Sequence, residues 1–218
     1  MLEDRILYID AEAIVIDKPA GLPVDSPRAG GDSVAARAHE LKLGFQREPV
    51  AMHRLDRDTS GCLLLARNPK ARARFQQAFE SGTVEKTYLA VVDGVPAAAL
   101  GLIDLPLAKV STAAEGWRMV PDDKGKGAQT RWRKLAERDG QSLIEFTPLS
   151  GRTHQIRVHA ARGLGAAIVG DPVYGARSGS MLLHSWRIVV PRGKKPPIDV
   201  TAPVPDSFGL WLDFLHAA

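Results

Sequence analysis

The chain has 218 residues, enough for one large domain or one domain with two lobes, and its 44% hydrophobic and 25% charged residues are typical of a globular protein with a buried core. Its single cysteine, Cys62, excludes an intrachain disulfide, no apolar run reaches the ~18 residues of a membrane span, and MLEDRILYID lacks the pattern of a secretory signal, so we expect a cytoplasmic protein. The net charge of +4 and the pI near 9.3 fit a polyanionic partner without identifying one.

The first third of the chain predicts short strands. ILYIDAEAIVIDKP indicates two strands on either side of residues 10–12, and the apolar run CLLLA indicates a buried strand further on. Between them, Asp32 or Ser33 is a candidate cap for a short helix that ends at Leu41.

A helix is clearly marked after the CLLLA strand. Asn68 fits an N-cap, Pro69 fits the first helical position, and Gly82 stands just past the expected end. EKTYLAVVDG then predicts a strand that ends in a turn, residues 95–140 predict short strands joined by polar loops, and SLIEFTPLSG predicts another strand.

The last third predicts two helices with a strand between them. RTHQIRVHAARGLG indicates a helix with Thr153 as cap and Gly163 as terminator, MLLHSWRIVV a strand, and DSFGLWLDFLHAA a C-terminal helix. Strands outnumber helices and do not alternate strictly with them. This order favours an α+β fold with a largely antiparallel sheet over a doubly wound fold.

Charged side chains crowd the stretch HRLDRDTSG just before the CLLLA strand. Asp56 lies between Arg54 and Arg57, and nearby cations keep a carboxylate ionised even when it is partly dehydrated. Such a carboxylate is what a nucleophile requires. The alternative is a solvated turn in which Asp58 and Thr59 act as caps, and this stretch alone leaves both interpretations open.

A second polar stretch, SGRTHQIRVHAARG, surrounds a predicted helix start. Arg152 and Arg157 bracket that start, and the free N–H groups there suit phosphates. A solvated basic helix face is the alternative. A zinc site is a weak interpretation, because His154 and His159 are five positions apart and diverge by ~140° around a helix.

Three other features have simple structural explanations. Tyr88 in KTYLAVV fits a core or rim residue better than a catalyst, if the strand is considered alone. Cys62 opens an apolar strand without an evident partner base, which predicts a small core residue. GDPVYG, with Tyr174, predicts a rigid turn.

Together the motifs resemble those of the RluA-type pseudouridine synthases. HRLDRDTSG, KTYLAVV, LSGRTHQIRVHAA, GDPVYG and LLHS follow one another in the family's order, and IVIDKPAGLPV matches near the start. The resemblance runs from about residue 6 to residue 205, and the pair HRLD…TSG and GRTHQIR is highly specific. One departure is Val190, where relatives usually have an aromatic residue or histidine. The resemblance implies an α+β catalytic domain over residues 1–218 with a central, mostly antiparallel mixed sheet, and no N-terminal RNA-binding domain.

The resemblance also implies roles for individual residues. Asp56 matches the family's nucleophile, which acts on the target uridine at the ribose C1′ or the base C6, or assists a glycal route. Tyr88 matches the tyrosine that stacks on the uracil and is a candidate acceptor of the C5 proton. Arg157 matches the arginine that pairs with the aspartate, and Arg54 matches the one that enters the RNA stack. Further candidates for RNA contact are His53, Arg57, Arg152, His154 and Gln155.

The implied substrate is a stem-loop of ribosomal or transfer RNA. The target base must leave its stack at a cost of a few kcal/mol, and an arginine plane in the gap would recover part of it. Isomerisation involves no net redox change and adds no water, so we expect neither a metal nor an organic cofactor. We also expect no membrane association and a monomer.

Two other functions are alternatives to this assignment. A haloacid-dehalogenase-type phosphatase uses an aspartate in DxDx[TV], but here Thr59 comes one position early, Ser60 stands where Thr or Val belongs, and no apolar strand precedes the stretch. A catalytically silent RNA-binding protein on the same fold is the other alternative. The presence of Asp56, Tyr88 and Arg157 argues against it.

Overall fold

The computed structural model describes residues 1–27, 29–112 and 116–216. Its strands are β1 (Ile6–Ile9), β2 (Ala13–Lys18), β3 (Val50–Ala51), β4 (Ser60–Ala66), β5 (Glu85–Val92), β6 (Leu100–Asp104), β7 (Leu107–Thr112), β8 (Gly116–Pro121), β9 (Gln129–Arg138), β10 (Gln141–Pro148), β11 (Leu183–Arg192) and β12 (Lys195–Thr201). Its α-helices are α1 (Pro69–Glu80), α2 (Gln155–Val158) and α3 (Leu212–His216). Short 3₁₀ helices cover Glu3–Arg5, Ala38–Leu41 and Asp206–Trp211, and a π-helix covers His159–Gly163.

Contacts divide the chain into two compact units. The first unit comprises Met1–Lys86 and His184–Val204, and the second comprises Thr87–Leu183 and Pro205–Ala218. Among the described residues, no helix is long and apolar enough to cross a membrane.

The sheet of the first unit is built around β4. This strand pairs antiparallel with β2 and parallel with β11, while β1 extends the sheet from β2, β12 from β11, and β3 adds to β4. Every residue of β4 is buried, as its apolar run predicts. Helix α1 places Ala71, Phe75 and Ala78 in the core that β4 shares with β11 and β12, because positions i, i+4 and i+7 share one helix face.

The second unit has an antiparallel sheet and a separate hairpin. Strand β10 pairs with β5 on one side and with β9 on the other, and β6 pairs with β9. Strands β7 and β8 pair with each other in a two-stranded sheet, and among the described residues neither pairs with another named strand. With β4 and β11 as a parallel pair, these pairings confirm the predicted α+β fold with a mostly antiparallel, mixed sheet.

Local sequence signals predict helix α1 correctly. The Asn68 side chain accepts a hydrogen bond from the Ala71 backbone N–H at 2.9 Å, Pro69 is the first helical residue, and Gly82 has a φ of +69°. Cys62 is a buried core residue, as predicted, and burial raises the pKa of its thiol to about 12.

Three helix predictions need correction. Thr153 is not the cap of the helix in GRTHQIR: α2 begins after His154, which has a left-handed φ of 53°, and it continues as a π-helix to Gly163. The C-terminal helix is interrupted, because Gly209 has non-helical backbone angles inside the 3₁₀ segment that precedes α3. The helix near residue 41 is a single 3₁₀ turn, preceded by a turn in which Ser33 Oγ accepts a hydrogen bond from the Ala36 N–H.

Candidate active site

The HRLDRDTSG stretch forms the loop between β3 and β4 in the first unit as far as Thr59, and its last two residues, Ser60 and Gly61, begin β4. Leu55 is buried and anchors the loop, whereas Asp56 beside it is partly exposed. The Asp56 carbonyl accepts a hydrogen bond from the Thr59 N–H at 3.1 Å, which closes a turn. The carboxylate of Asp56 is therefore carried on a short turn with a buried residue immediately before it.

A buried lysine forms hydrogen bonds that fix the same loop. Lys18, at the end of β2, donates hydrogen bonds to the carbonyl oxygens of Pro19, Leu22 and Arg57 at 2.8, 2.7 and 3.0 Å. Burial lowers the pKa of Lys18 to about 8, although the charges of Asp58 and Asp56 oppose the shift. All three ammonium protons have acceptors, so Lys18 ties the IDKPAGL segment to the Asp56 loop.

Gly61 joins the loop to β4 where a side chain has no space. Its φ is +103°, and a Cβ there would lie 2.2 Å from the Ser185 carbonyl oxygen. This close approach accompanies the parallel pairing of Ser60 and Gly61 with His184 and Ser185. Ser60 Oγ and His184 Nδ1 also lie 2.8 Å apart in a buried hydrogen bond, so the LLHS motif holds the end of the loop.

The other loop residues divide into interior and exterior side chains. His53 Nε2 accepts a hydrogen bond from the Leu64 N–H, and its ring stacks on Phe79 with centroids 5.2 Å apart. Burial, with a smaller effect of Lys86, lowers the pKa of His53 to about 3, so the ring is neutral at pH 7. The side chains of Arg54 and Arg57 are about 70% exposed, at 69% and 71%. Both arginines of the loop therefore present their guanidinium groups to solvent.

Tyr88 lies on β5 in the second unit. It pairs in register with Phe146 of β10, and it is buried, with 8% of its surface exposed. The structure therefore fixes the ring within a strand, which is a rigid position for an aromatic side chain.

Arg157 is buried in the second unit and pairs with Asp171 of the GDPVYG turn. Its Nε and Nη2 donate to the two carboxylate oxygens of Asp171 at 2.8 and 2.7 Å, a bidentate geometry. Asp171 also accepts hydrogen bonds from the N–H groups of Val173 and Tyr174. Burial opposes ionisation, but the bonds and charge of Arg157 outweigh it, and the pKa of Asp171 lies below its usual value.

Gln155 is buried and connects the GRTHQIR segment to the neighbouring strand β9 by side-chain hydrogen bonds. Its Oε1 accepts hydrogen bonds from Ser150 Oγ and the Arg152 N–H, and its Nε2 donates to the Gln129 carbonyl and to Thr130 Oγ1. The Arg152 side chain is exposed and donates from Nε to the Gly127 carbonyl. Gln155 thus fixes the backbone before Arg157, while Arg152 faces solvent.

The structure adds supporting residues that sequence reasoning did not select. These are Lys18 beneath the Asp56 loop, His184 beside Ser60, and Asp171 against Arg157. Asp56 and its supports lie in the first unit, and Tyr88 and Arg157 lie in the second, so the predicted approach of Asp56 to Arg157 stays a prediction. Within the described ranges, no group of three or more His, Cys, Asp or Glu residues could hold a metal ion.

Comparison with known proteins identifies the family. Residues 12–162 match the RNA pseudouridylate synthase family. The chain therefore belongs to this family of RNA isomerases, and within it to the RluA type.

Individual relatives support the assignment over most of the chain. An uncharacterized RNA pseudouridine synthase of Zymomonas mobilis is 53% identical over 95% of this chain and 97% of its own length. The ribosomal large subunit pseudouridine synthase D of the same organism is 36% identical over 78% of this chain, but only 56% of that relative is covered. The fold matches that of human RNA pseudouridylate synthase domain containing 4 with a TM-score of 0.82 at 24% identity, covering 99% of this chain and 94% of the other.

Proposed function

We propose that this pseudouridine synthase acts on uridines in structured ribosomal or transfer RNA, with Asp56 as its nucleophile. The observation that carries the proposal is the Asp56 loop. The three hydrogen bonds of Lys18 fix the loop, and so does the close packing of Gly61 against β11, which leaves no space for a side chain. Asp56 nevertheless stays partly exposed. The substrate class is supported by the relative from Zymomonas mobilis that is named ribosomal large subunit pseudouridine synthase D.

The proposed reaction moves the uracil without adding or removing atoms. Asp56 attacks the ribose C1′ or the base C6, or assists a glycal route, and the glycosidic C–N bond breaks. The uracil turns and its C5 bonds to C1′, the bond between Asp56 and the atom that it attacked breaks and frees the carboxylate, and the proton on C5 leaves to a base while N1 gains a proton. Tyr88 is the candidate base, since its ring has a fixed position on β5 and the family resemblance places it against the uracil.

Arginines have two proposed roles in this reaction. Arg157, which also makes two hydrogen bonds to Asp171, is proposed to pair with Asp56. A guanidinium held rigidly beside the nucleophile would orient its carboxylate through charge-assisted hydrogen bonds. Arg54 has an exposed side chain and fits the group that fills the RNA stack when the uridine flips out. Arg57 and Arg152 are also exposed and suit phosphate contacts.

We further propose that the protein works as a cytoplasmic monomer. The buried state and raised thiol pKa of Cys62 are consistent with a compartment in which no disulfide is needed. Light scattering of the purified protein measures the monomer directly.

The central experiment measures pseudouridine formed on total RNA from cells that lack the enzyme. Asp56→Asn keeps the shape of the side chain and removes its charge, so turnover should fall below detection while RNA binding persists. Tyr88→Phe should bind RNA but turn over slowly. Asp58→Asn is the matched control, because it removes a carboxylate two positions away in the same loop and should keep most of the activity.

The outcomes separate the proposal from its alternatives. Pseudouridine made by Asp56→Asn at the wild-type rate would refute Asp56 as nucleophile. The wild-type enzyme should stay active with excess chelator, whereas a phosphatase would lose activity and would consume a phosphate ester. A silent RNA-binding protein would form no pseudouridine with any variant.

A further inference from the structure

The β7–β8 hairpin of the second unit carries an exposed tryptophan. Trp117 on β8 is 46% exposed, whereas Trp132 and Trp211 are each 8% exposed. Trp117 pairs with Ser111 of β7, and the hairpin pairs with no other strand among the described residues. A large indole in such a position raises the question of what it binds.

The base of the hairpin is firmly held. Leu107 and Met119 pack with Ala128 and Val158 in a buried cluster, and the Met119 N–H donates a hydrogen bond to the Tyr174 hydroxyl at 3.0 Å. Trp117 is two residues beyond Met119 on the same face, because side chains alternate along a strand. The tryptophan therefore projects from a fixed support.

Polar and charged groups surround the indole. The ring of His154 lies 4.9 Å from that of Trp117, centroid to centroid, and His154 Nδ1 lies 2.9 Å from the Tyr174 hydroxyl. The ammonium group of Lys109 lies 4.8 Å from the Trp117 ring centroid. Lys109 and Trp117 share one hairpin face by the register, so an aromatic platform and a cation stand side by side.

We propose that Trp117 and Lys109 form an accessory RNA-binding site, in which one nucleobase of the substrate stacks on the indole and Lys109 binds an adjacent phosphate. The inference rests on the proposed function, because RNA is the partner. Stacking on an indole is stronger than the cation–π contact of an exposed lysine, so a base can displace the ammonium group from the ring. The displaced ammonium group then remains within reach of the phosphate of the same nucleotide.

The site is linked to the interior of the second unit. His154 contacts Tyr174, and the Arg157 guanidinium carbon lies 5.2 Å from the Tyr174 ring centroid. RNA held on Trp117 is thereby held at a fixed place relative to Arg157. The site should contribute to RNA affinity and KM, and not to the chemical step.

The test measures binding in the Asp56→Asn background, so that turnover does not consume the probe. The probe is a short fluorescein-labelled RNA hairpin with a uridine-rich loop. Trp117→Ala should weaken binding about tenfold, which corresponds to about 1.4 kcal/mol, and Trp117→Phe should recover most of the loss. Lys109→Ala should reduce the slope of log affinity against log salt by about one.

Phe214→Ala is the matched control, because it removes a partly exposed aromatic ring from α3, elsewhere in the sequence, and it should leave affinity unchanged. If Trp117→Ala binds the hairpin as tightly as the parent protein, the inference is wrong. A wild-type protein that forms no pseudouridine on total RNA would instead refute the proposed function. Thermal unfolding of each variant shows whether a loss of binding reflects a loss of fold.

Discussion

Replacing Gly61 by alanine tests whether the end of the Asp56 loop requires the absence of a side chain. The added Cβ would lie 2.2 Å from the Ser185 carbonyl oxygen and 2.9 Å from His184 Cε1. Since ordinary contacts begin at 3.4 Å, the backbone of β4 or β11 must move by roughly 1 Å. That movement separates the parallel pair of strands that carries the loop.

The size of the effect follows from comparison with a second glycine. Gly82, after α1, has a φ of +69° and no atom within 4 Å of an added Cβ, so Gly82→Ala meets only left-handed backbone strain of about 1–2 kcal/mol. Gly61, with a φ of +103°, adds the displacement of β11 to such strain. We expect Gly61→Ala to lower the free energy of unfolding by about 3–5 kcal/mol.

Urea unfolding of the wild type, Gly61→Ala and Gly82→Ala measures both effects under one set of conditions. Pseudouridine formation by the part of Gly61→Ala that remains folded should also fall, because the shift reaches Asp56 through four intervening residues. Equal losses of stability in the two variants would show that the contact with Ser185 is not limiting, and the reasoning from close approach would then be wrong.

Two buried charges give further predictions. Asp171→Ala leaves the Arg157 guanidinium without its bidentate carboxylate and should cost about 3–5 kcal/mol in urea unfolding, whereas a loss below about 1 kcal/mol would contradict a structural role of the pair. Burial lowers the pKa of Lys18 from 10.5 to about 8, so the unfolded chain binds the additional proton between those pH values. The free energy of unfolding of the wild type, relative to that of Lys18→Met, should therefore rise with pH in that window by up to about 1.4 kcal/mol per pH unit. A difference between the two proteins that does not change with pH would contradict the lowered pKa of Lys18.

Local signals in the sequence predict an element correctly where the structure of that element depends only on residues within the same segment. The cap, first-turn proline and terminal glycine of α1 act within a few residues, and β4 is buried because each of its residues is small or apolar. The predicted start of the GRTHQIR helix is wrong because the geometry of this segment depends on groups that are distant in sequence. Gln155 bonds to Gln129 and Thr130, and the residue before it adopts a left-handed conformation that no local pattern announces.

The supporting residues of the site could not be read from local patterns for the same reason. Lys18 at the end of an apolar strand suggests an exposed cation, yet its acceptors are two carbonyls of its own segment and one 39 positions away. Asp171 is 14 residues from Arg157, which is too far for a helix or turn rule to relate them. Both contacts form only when the chain folds, so the family motifs identify the functional segments but not the contacts that support them.

The buried supporting residues suggest how the protein prepares the proposed reaction before RNA binds. A carboxylate in a mobile loop would have to be ordered in every turnover, whereas Lys18 and Gly61 hold the Asp56 loop in place before RNA binds. Asp171 does the same for Arg157 by occupying two of its donors in a fixed plane. Because these supports do not face solvent, their loss should lower kcat more than RNA affinity, whereas loss of the exposed groups Arg54 and Trp117 should chiefly weaken binding.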